Sequence, residues 1–260
     1  MHNLINLALQ SPHGAPPRFA YCSSVASAIE YNGKGKIPER ILDDASAASP
    51  LGYSRSKWVA EQICAQAHKT TRLRNRVAVF RVGQLSGDSK TGVWNTKEAW
   101  PMMLSTVKLT GSLPALQNEP LSWLPVDVAA EAFVQAAASM ERTEESTTRV
   151  YHVLNEHKTP DWMELLGWLK KTEEFEVVSP QEWVGRMEGL ERKAADHPAM
   201  KLLGHWKKAY GSESTEVDAA PLPEWEMRRT KQAAPALEEV HPVDEQYFRK
   251  IWAWLRSSMQ

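Results

Sequence analysis

The chain has 260 residues, with 31 Lys+Arg against 32 Asp+Glu and a formal net charge of −1. That balance argues against a nucleic-acid-binding protein, whose usual footprint is a strongly basic domain. Apolar residues at 42% and charged residues at 24% match soluble globular chains and disfavour disorder, collagen and coiled coil.

No apolar run approaches the roughly 18 residues that span a bilayer, and the N-terminus lacks a basic region followed by a long apolar core. The chain therefore reads as cytoplasmic, with no membrane partner. Its two cysteines, Cys22 and Cys64, are too few for a disulfide scaffold or a four-thiolate metal site.

In chain order, Leu4, Ile5, Leu7 and Leu9 have amphipathic helical spacing and lead into the first strand. A domain rarely begins so close to its own core, so an N-terminal part is expected to be missing. The first strand, Arg18–Cys22, follows the breaker Pro16-Pro17 and ends in Ser23-Ser24. A helix from about Gly52 to Thr71 carries Trp58, Val59, Ile63 and Ala67 at helical spacing. Val77–Val82 is an almost unbroken apolar run, as in a strand covered on both faces. Strand, helix, strand argues for a parallel sheet. Val126–Met140 is an Ala-rich helix with Asp127 as its expected N-cap, and Val150–Leu154 is the third strand. Helices are then expected from Thr159-Pro160-Asp161 to Lys171, from Ser179-Pro180 to about Lys193, from Pro198 to Tyr210 and from Asp244 to Ser258. Residues 211–240, with Pro221, Pro223 and Pro235 and little periodicity, read as a loop. The expected fold class is α/β, a partial Rossmann-type parallel sheet with a helical C-terminal substrate subdomain. The expected division is 1–155, with a substrate-side insert at about 88–125, and 156–260.

Tyr53-Ser54-Arg55-Ser56-Lys57 has a Tyr-x-x-x-Lys spacing at the start of a helix, which puts phenol and ammonium on one face. A positive charge beside a phenol favours the phenolate and makes a usable general acid. Ser23-Ser24 stands where the first strand ends, and open α/β sheets bind ligands outside the carboxyl ends of their strands. A serine hydroxyl there can hydrogen-bond a carbonyl oxygen, or simply cap a turn. The next strand runs into Gly83-Gln84-Leu85-Ser86-Gly87, whose glycines let the backbone approach a flat ring or a sugar, or serve plain loop geometry.

These features resemble the extended short-chain dehydrogenase/reductase family. Tyr21-Cys22-Ser23-Ser24, the segment from Gly52 to Glu61, Phe80-Arg81-Val82-Gly83-Gln84-Leu85-Ser86-Gly87 and Trp123-Leu124-Pro125-Val126-Asp127 are similar, more narrowly, to one group of reductases. These are the C-terminal thioester reductase domains of fungal enzymes like non-ribosomal peptide synthetases. The resemblance implies that NADPH delivers hydride to an acyl thioester on the phosphopantetheine arm of a carrier protein, and that an aldehyde or alcohol is released. It implies Tyr53 as proton donor, Ser24 as holder of the carbonyl oxygen and Lys57 as the ribose contact. Gly83, Gln84 and Leu85 would lie along the nicotinamide.

The 13 glycines contain no G-x-G-x-x-G or G-x-x-G-x-x-G turn, the usual pyrophosphate cradle. The expectation is a truncated chain, or a separate polypeptide that supplies the N-terminal half. Two alternatives accompany the thioester reductase: a non-catalytic fragment that docks on a synthetase, and a reductase of a free small-molecule carbonyl. The histidines show no H-E-x-x-H spacing, so no metal is expected, and His152 reads as a packed residue. Cys64 reads as buried, and no G-x-S-x-G points to a hydrolase. Most of the 11 tryptophans read as helix-packing core, although those near Met102-Met103 could wall an acyl channel. Lys207-Lys208 and Arg228-Arg229 could meet an acidic carrier protein, or be merely solvated.

Overall fold

The computed structural model describes residues 1–12, 14, 16–140, 147–211 and 223–258. In chain order its elements are α1 (His2–Leu9), β1 (Phe19–Ser24), α2 (Gly52–Thr70), β2 (Val77–Val82) and β3 (Leu85–Ser86). Next come α3 (Ala99–Thr110), β4 (Ser112–Pro114), β5 (Leu124–Pro125), α4 (Val126–Ser139) and β6 (Arg149–Val153). The remainder is α5 (Trp162–Leu169), β7 (Glu176–Val178), α6 (Pro180–Leu190), α7 (Leu203–Tyr210), α8 (Arg228–Ala233) and α9 (Glu245–Ser258). Two compact units interleave along the sequence. The first comprises Met1–Leu85, Trp123–Glu156 and Pro223–His241, and the second Ser86–Ser122, His157–Leu222 and Pro242–Gln260.

The first unit is an α/β layer built on a parallel sheet in the order β1-β2-β6. Ser24 pairs with Val82 and Val82 with Val153, so the strands finish in register at their carboxyl ends. Central β2 is apolar on both sides because both sides are covered. Val77 and Val79, with Val150 of β6, join Cys64 and Ala67 of α2, whereas Ala78 and Phe80, with Tyr151 and Val153, join Ala129, Ala132 and Ala136 of α4. This two-residue alternation lets one short strand serve two helices. Small alanines bring α4 close to the sheet, and Phe80 stacks on Phe133 at 3.9 Å between ring centres.

The helix starts follow local chemistry. Asp161 caps α5 in a reciprocal box with Glu164, and the Ser179 side chain accepts from the Glu182 amide at the start of α6. Asp244 accepts from the Tyr247 amide at the start of α9. The expected cap at Asp127 is not formed: the N-cap of α4 is Pro125, without a side-chain cap bond, and Asp127 lies in the first turn, where its charge favours the helix dipole. The expected helix 198–210 begins as a 3-10 segment, Pro198–Leu202, before α7.

Two further expectations fail. The expected loop 211–240 contains α8 and a further 3-10 turn at Pro235–Leu237, while residues 212–222 lie outside the described residues. The back third is not purely helical, because β7 pairs in parallel with β4 in the second unit. In that unit Trp94, Trp162, Trp183, Trp206 and Trp252 are core: Trp183 donates to the Thr106 hydroxyl at 3.0 Å and packs on Trp206, and Trp162 donates to the Pro114 carbonyl at 2.8 Å. Met102 and Met103 are buried alongside. Lys207 is engaged with Glu188.

Phe80 is fully buried and touches two aromatic rings. Truncating it to Ala is expected to cost about 3–5 kcal/mol through lost burial and the cavity left behind. Urea unfolding of the Phe80→Ala variant measures this, and a cost below about 1 kcal/mol would contradict the packing described.

Candidate active site

The sequence-predicted residues gather at the carboxyl ends of β1 and β2, all in the first unit. Ser24 closes β1 and acts as N-cap of the short 3-10 turn Val25–Ser27. Its Oγ accepts from the Ala26 amide at 3.2 Å. That bond uses a lone pair, so the hydroxyl proton stays available to an outside acceptor. The turn-capping alternative is thus realised and leaves the donor free.

Helix α2 brings Tyr53 and Lys57 to the same end. Lys57 Nζ donates to the Cys22 carbonyl on β1 at 2.9 Å, which ties the helix to the strand two residues before Ser24. The ammonium lies 5.5 Å from the centre of the Tyr53 ring and 5.4 Å from that of Tyr21, within cation–π range. Tyr53 is 58% exposed, and among the described residues its hydroxyl takes part in no hydrogen bond. Tyr21 differs: burial, above all, pushes its phenol up to about 12, so it stays protonated.

Gly83, Gln84 and Leu85 follow β2 directly. The Gly83 amide donates to Val153, and an added Cβ there would meet the Leu154 Cβ at 2.8 Å, so glycine is needed for the strand ends to close. The Gln84 carbonyl accepts from the Leu124 amide at 2.9 Å, and its side-chain amide donates to the Leu85 carbonyl at 2.6 Å.

Behind this edge lies a charged cluster that sequence reasoning did not single out. Glu61 and Arg81, both fully buried, form an ion pair at 2.8 Å. Ser23 and Ser27 each donate to Glu61 Oε1 at 2.6 Å. Arg81 also donates to the carbonyls of Pro38 and Arg40. His152 Nδ1 is 2.8 Å from the Glu226 carbonyl and Nε2 is 3.4 Å from Arg81 Nη1, so the tautomer that fits has the proton on Nδ1. Burial and then the Arg81 charge push His152 down to about 3, which keeps it neutral. The expectation of a packed histidine holds for His152, and Cys64 is likewise buried, with its thiol pushed up to about 12. The available signal was the Glu four residues after Lys57 and the Arg inside an apolar strand, a buried charge that demands a partner.

Among the described residues, no three His, Cys, Asp or Glu side chains gather as a metal site, and no helix is long and apolar enough to cross a membrane.

Residues 1–133, half of the chain, match the NAD-binding family described as male sterility protein, and the chain belongs to that family. A nicotinamide dinucleotide is the cofactor class this implies. An adenylate-forming reductase of Serpula lacrymans is 27% identical over 96% of this chain and 24% of its own length. The non-canonical non-ribosomal peptide synthetase ascB of Acremonium egyptiacum is 38% identical over 54% of this chain and 13% of its own. The resemblance drawn from the four motifs is therefore borne out, and the chain spans about a quarter or less of these relatives. The reductase domain of a non-ribosomal peptide synthetase from Mycobacterium tuberculosis shares the fold with a TM-score of 0.72 at 21% identity, over 99% of this chain and 64% of that one. The terminal R domain of the myxalamid pathway gives 0.69 at 22% identity, over 92% and 58%. The donors at the site suit such a cofactor: Lys57 keeps two N–H groups beyond its bond to Cys22, and the hydroxyls of Tyr53 and Ser24 are unspent among the described residues.

His152 is neutral in the fold but binds a proton near pH 6.5 once unfolded. Its contribution to stability is therefore complete above about pH 6.5 and is lost as the pH falls toward about 3, at about 1.4 kcal/mol per pH unit. Urea unfolding across that window should show the slope, and His152→Gln should flatten it by about one proton's worth. An unchanged slope in the variant would assign the acid sensitivity to other groups.

Proposed function

We propose that this chain is the catalytic part of an NADPH-dependent reductase that releases a carrier-protein-bound acyl thioester as an aldehyde. Tyr53, Lys57 and Ser24 are its working groups. The observation that carries the reading is the Lys57 ammonium, which bonds β1 through the Cys22 carbonyl while lying over the ring of the exposed Tyr53, whose hydroxyl takes part in no hydrogen bond among the described residues.

NADPH, when bound, supplies the hydride that reduces the thioester carbonyl carbon. The Ser24 hydroxyl donates a hydrogen bond to the carbonyl oxygen, keeping its proton, and so stabilises the charge that develops there. Tyr53 delivers a proton to that oxygen, which completes a thiohemiacetal. Collapse of the thiohemiacetal breaks the carbon–sulfur bond: the oxygen gives up its proton, the carbonyl re-forms as the aldehyde, and the departing thiolate takes up a proton to become the free phosphopantetheine thiol. Lys57 would hold the ribose hydroxyls with its remaining donors, its ammonium standing beside the Tyr53 phenol. Gly83, Gln84 and Leu85 line the nicotinamide, and the second unit takes the role of substrate subdomain. A cytoplasmic site of action belongs to the same reading. Support comes from the family membership, from relatives whose names include adenylate-forming reductases, and from the order Ser24, Tyr53, Lys57 at one sheet edge.

Titration of the 260-residue chain with NADPH, followed by cofactor fluorescence, should show saturable binding. Tyr53→Phe should retain that affinity within about twofold and lose at least about 100-fold in turnover of a model acyl thioester, because it lacks only the proton donor. Turnover by the Phe variant at the wild-type rate would remove Tyr53 from this role. Failure of the wild-type chain to bind NADPH would favour a non-catalytic fragment.

A further inference from the structure

The turn that carries Ser24 is held from behind by a single carboxylate. Glu61 lies on α2, four residues after Lys57 and eight after Tyr53, and is fully buried. Its Oε1 receives Ser23 Oγ and Ser27 Oγ, each at 2.6 Å, while Oε2 receives Arg81 Nη2 at 2.8 Å. Ser23 precedes Ser24, and the Ser27 hydroxyl also lies 2.7 Å from the Ser24 carbonyl. One carboxylate therefore grips the turn on both sides of Ser24 while standing on the helix that carries Tyr53 and Lys57.

We propose that Glu61, acting through Ser23 and Ser27, is the positioning residue that fixes the Ser24 hydroxyl relative to Tyr53 and Lys57. The inference rests on the reductase reading above and adds to it a second tier of residues. Neutralising Arg81 needs only the ion pair, yet two further hydroxyls converge on the same carboxylate oxygen. Hydroxyl bonds to a carboxylate are short and directional, so the turn cannot rotate without breaking both. A tie between helix and strand that was purely structural would be cheaper as apolar packing, because burying a charge costs several kcal/mol. With the turn locked, Ser24 Oγ accepts from the Ala26 amide and keeps its own proton as an unspent donor. The carbonyl-binding donor is thereby oriented before any ligand arrives.

The test removes the two serine hydroxyls and leaves the Glu61–Arg81 pair in place. In Ser23→Ala/Ser27→Ala, the Ala26 amide, followed by NMR hydrogen exchange, should exchange at least about tenfold faster because its acceptor is no longer held. NADPH affinity should stay within about twofold, and kcat should fall by about 10- to 100-fold at unchanged KM for the cofactor. Ser24→Ala should lose a similar factor, and the triple variant should be no slower than Ser24→Ala alone, since groups that act through one residue do not add. Losses that multiply in the triple variant, or unchanged Ala26 exchange in the double variant, would overturn the proposal. A wild-type chain without NADPH binding or turnover would instead remove the reductase reading and this proposal with it, so the two failures are told apart by the parent protein.

Discussion

The Glu61–Arg81 pair organises the first unit. Glu61 comes from the helix and Arg81 from the central strand, and both are sealed from water. An unpaired charge at that depth would cost several kcal/mol, so each must find compensation, and the residues that provide it define the neighbourhood. Ser23 and Ser27 supply donors from the end of β1, the carbonyls of Pro38 and Arg40 supply acceptors from the loop before α2, and His152 supplies a lone pair from β6. Three strands, one helix and a loop are thus drawn to one point beneath the edge where the candidate site lies. A neutral imidazole is the form that can stand beside a guanidinium, and burial together with that charge keeps His152 neutral.

The same point reaches a distant part of the chain. Through Nδ1, His152 bonds the Glu226 carbonyl, and its backbone amide donates to the Thr230 hydroxyl at 2.8 Å. Glu39, one residue from the carbonyls that hold Arg81, accepts from the amides of Arg229 and Thr230 and from the Thr230 hydroxyl. A bridge between Ile37 and Trp225 adds backbone bonds to the same junction. Residues 223–241 therefore return to the first unit by polar pairing as much as by burial of Met227, Ala234 and Leu237. The pair Arg228-Arg229, which the sequence offered as a patch for an acidic partner, is partly absorbed here, because Arg229 is committed to Glu39 through both its amide and its guanidinium.

What could be read in advance divides along physical lines. β2 was legible because a covered central strand is apolar at all but one of its positions, and α2 from its helical spacing, although Val59 and Ile63 of the expected stripe stand exposed and the buried face carries Glu61 and Cys64. The order Ser24, Tyr53, Lys57 was legible because a strand end and a helix start fix where side chains emerge. α8 was not, since its six residues include Arg228, Arg229, Lys231 and Gln232 and form a helix because the Glu39 carboxylate meets its first amides across 190 positions. The pairing of β4 with β7 escaped for a like reason: two three-residue strands carry too few residues to show a period, and only tertiary contact makes them strands. Asp127 shows the opposite error, a good capping residue placed two residues after the N-cap, too late to cap.

Two phenols share one cation at the site. Tyr21 and Tyr53 stand at nearly equal distances from Lys57 Nζ, 5.4 and 5.5 Å, so proximity to the ammonium does not choose between them. Their supports do. Tyr21 projects from β1, packs against the cluster beneath α2 and pays in desolvation, with its phenol held at about 12. Tyr53 projects from the first turn of α2, 58% exposed, with its hydroxyl unengaged among the described residues. In the proposed reaction the proton donor needs an open approach and a cation near the charge it is left with, and Tyr53 alone of the two has both. The Lys57 bond to Cys22 then acquires a second meaning. By anchoring the ammonium to the strand, it keeps the charge within reach of Tyr53 and spends only one of its three donors in doing so.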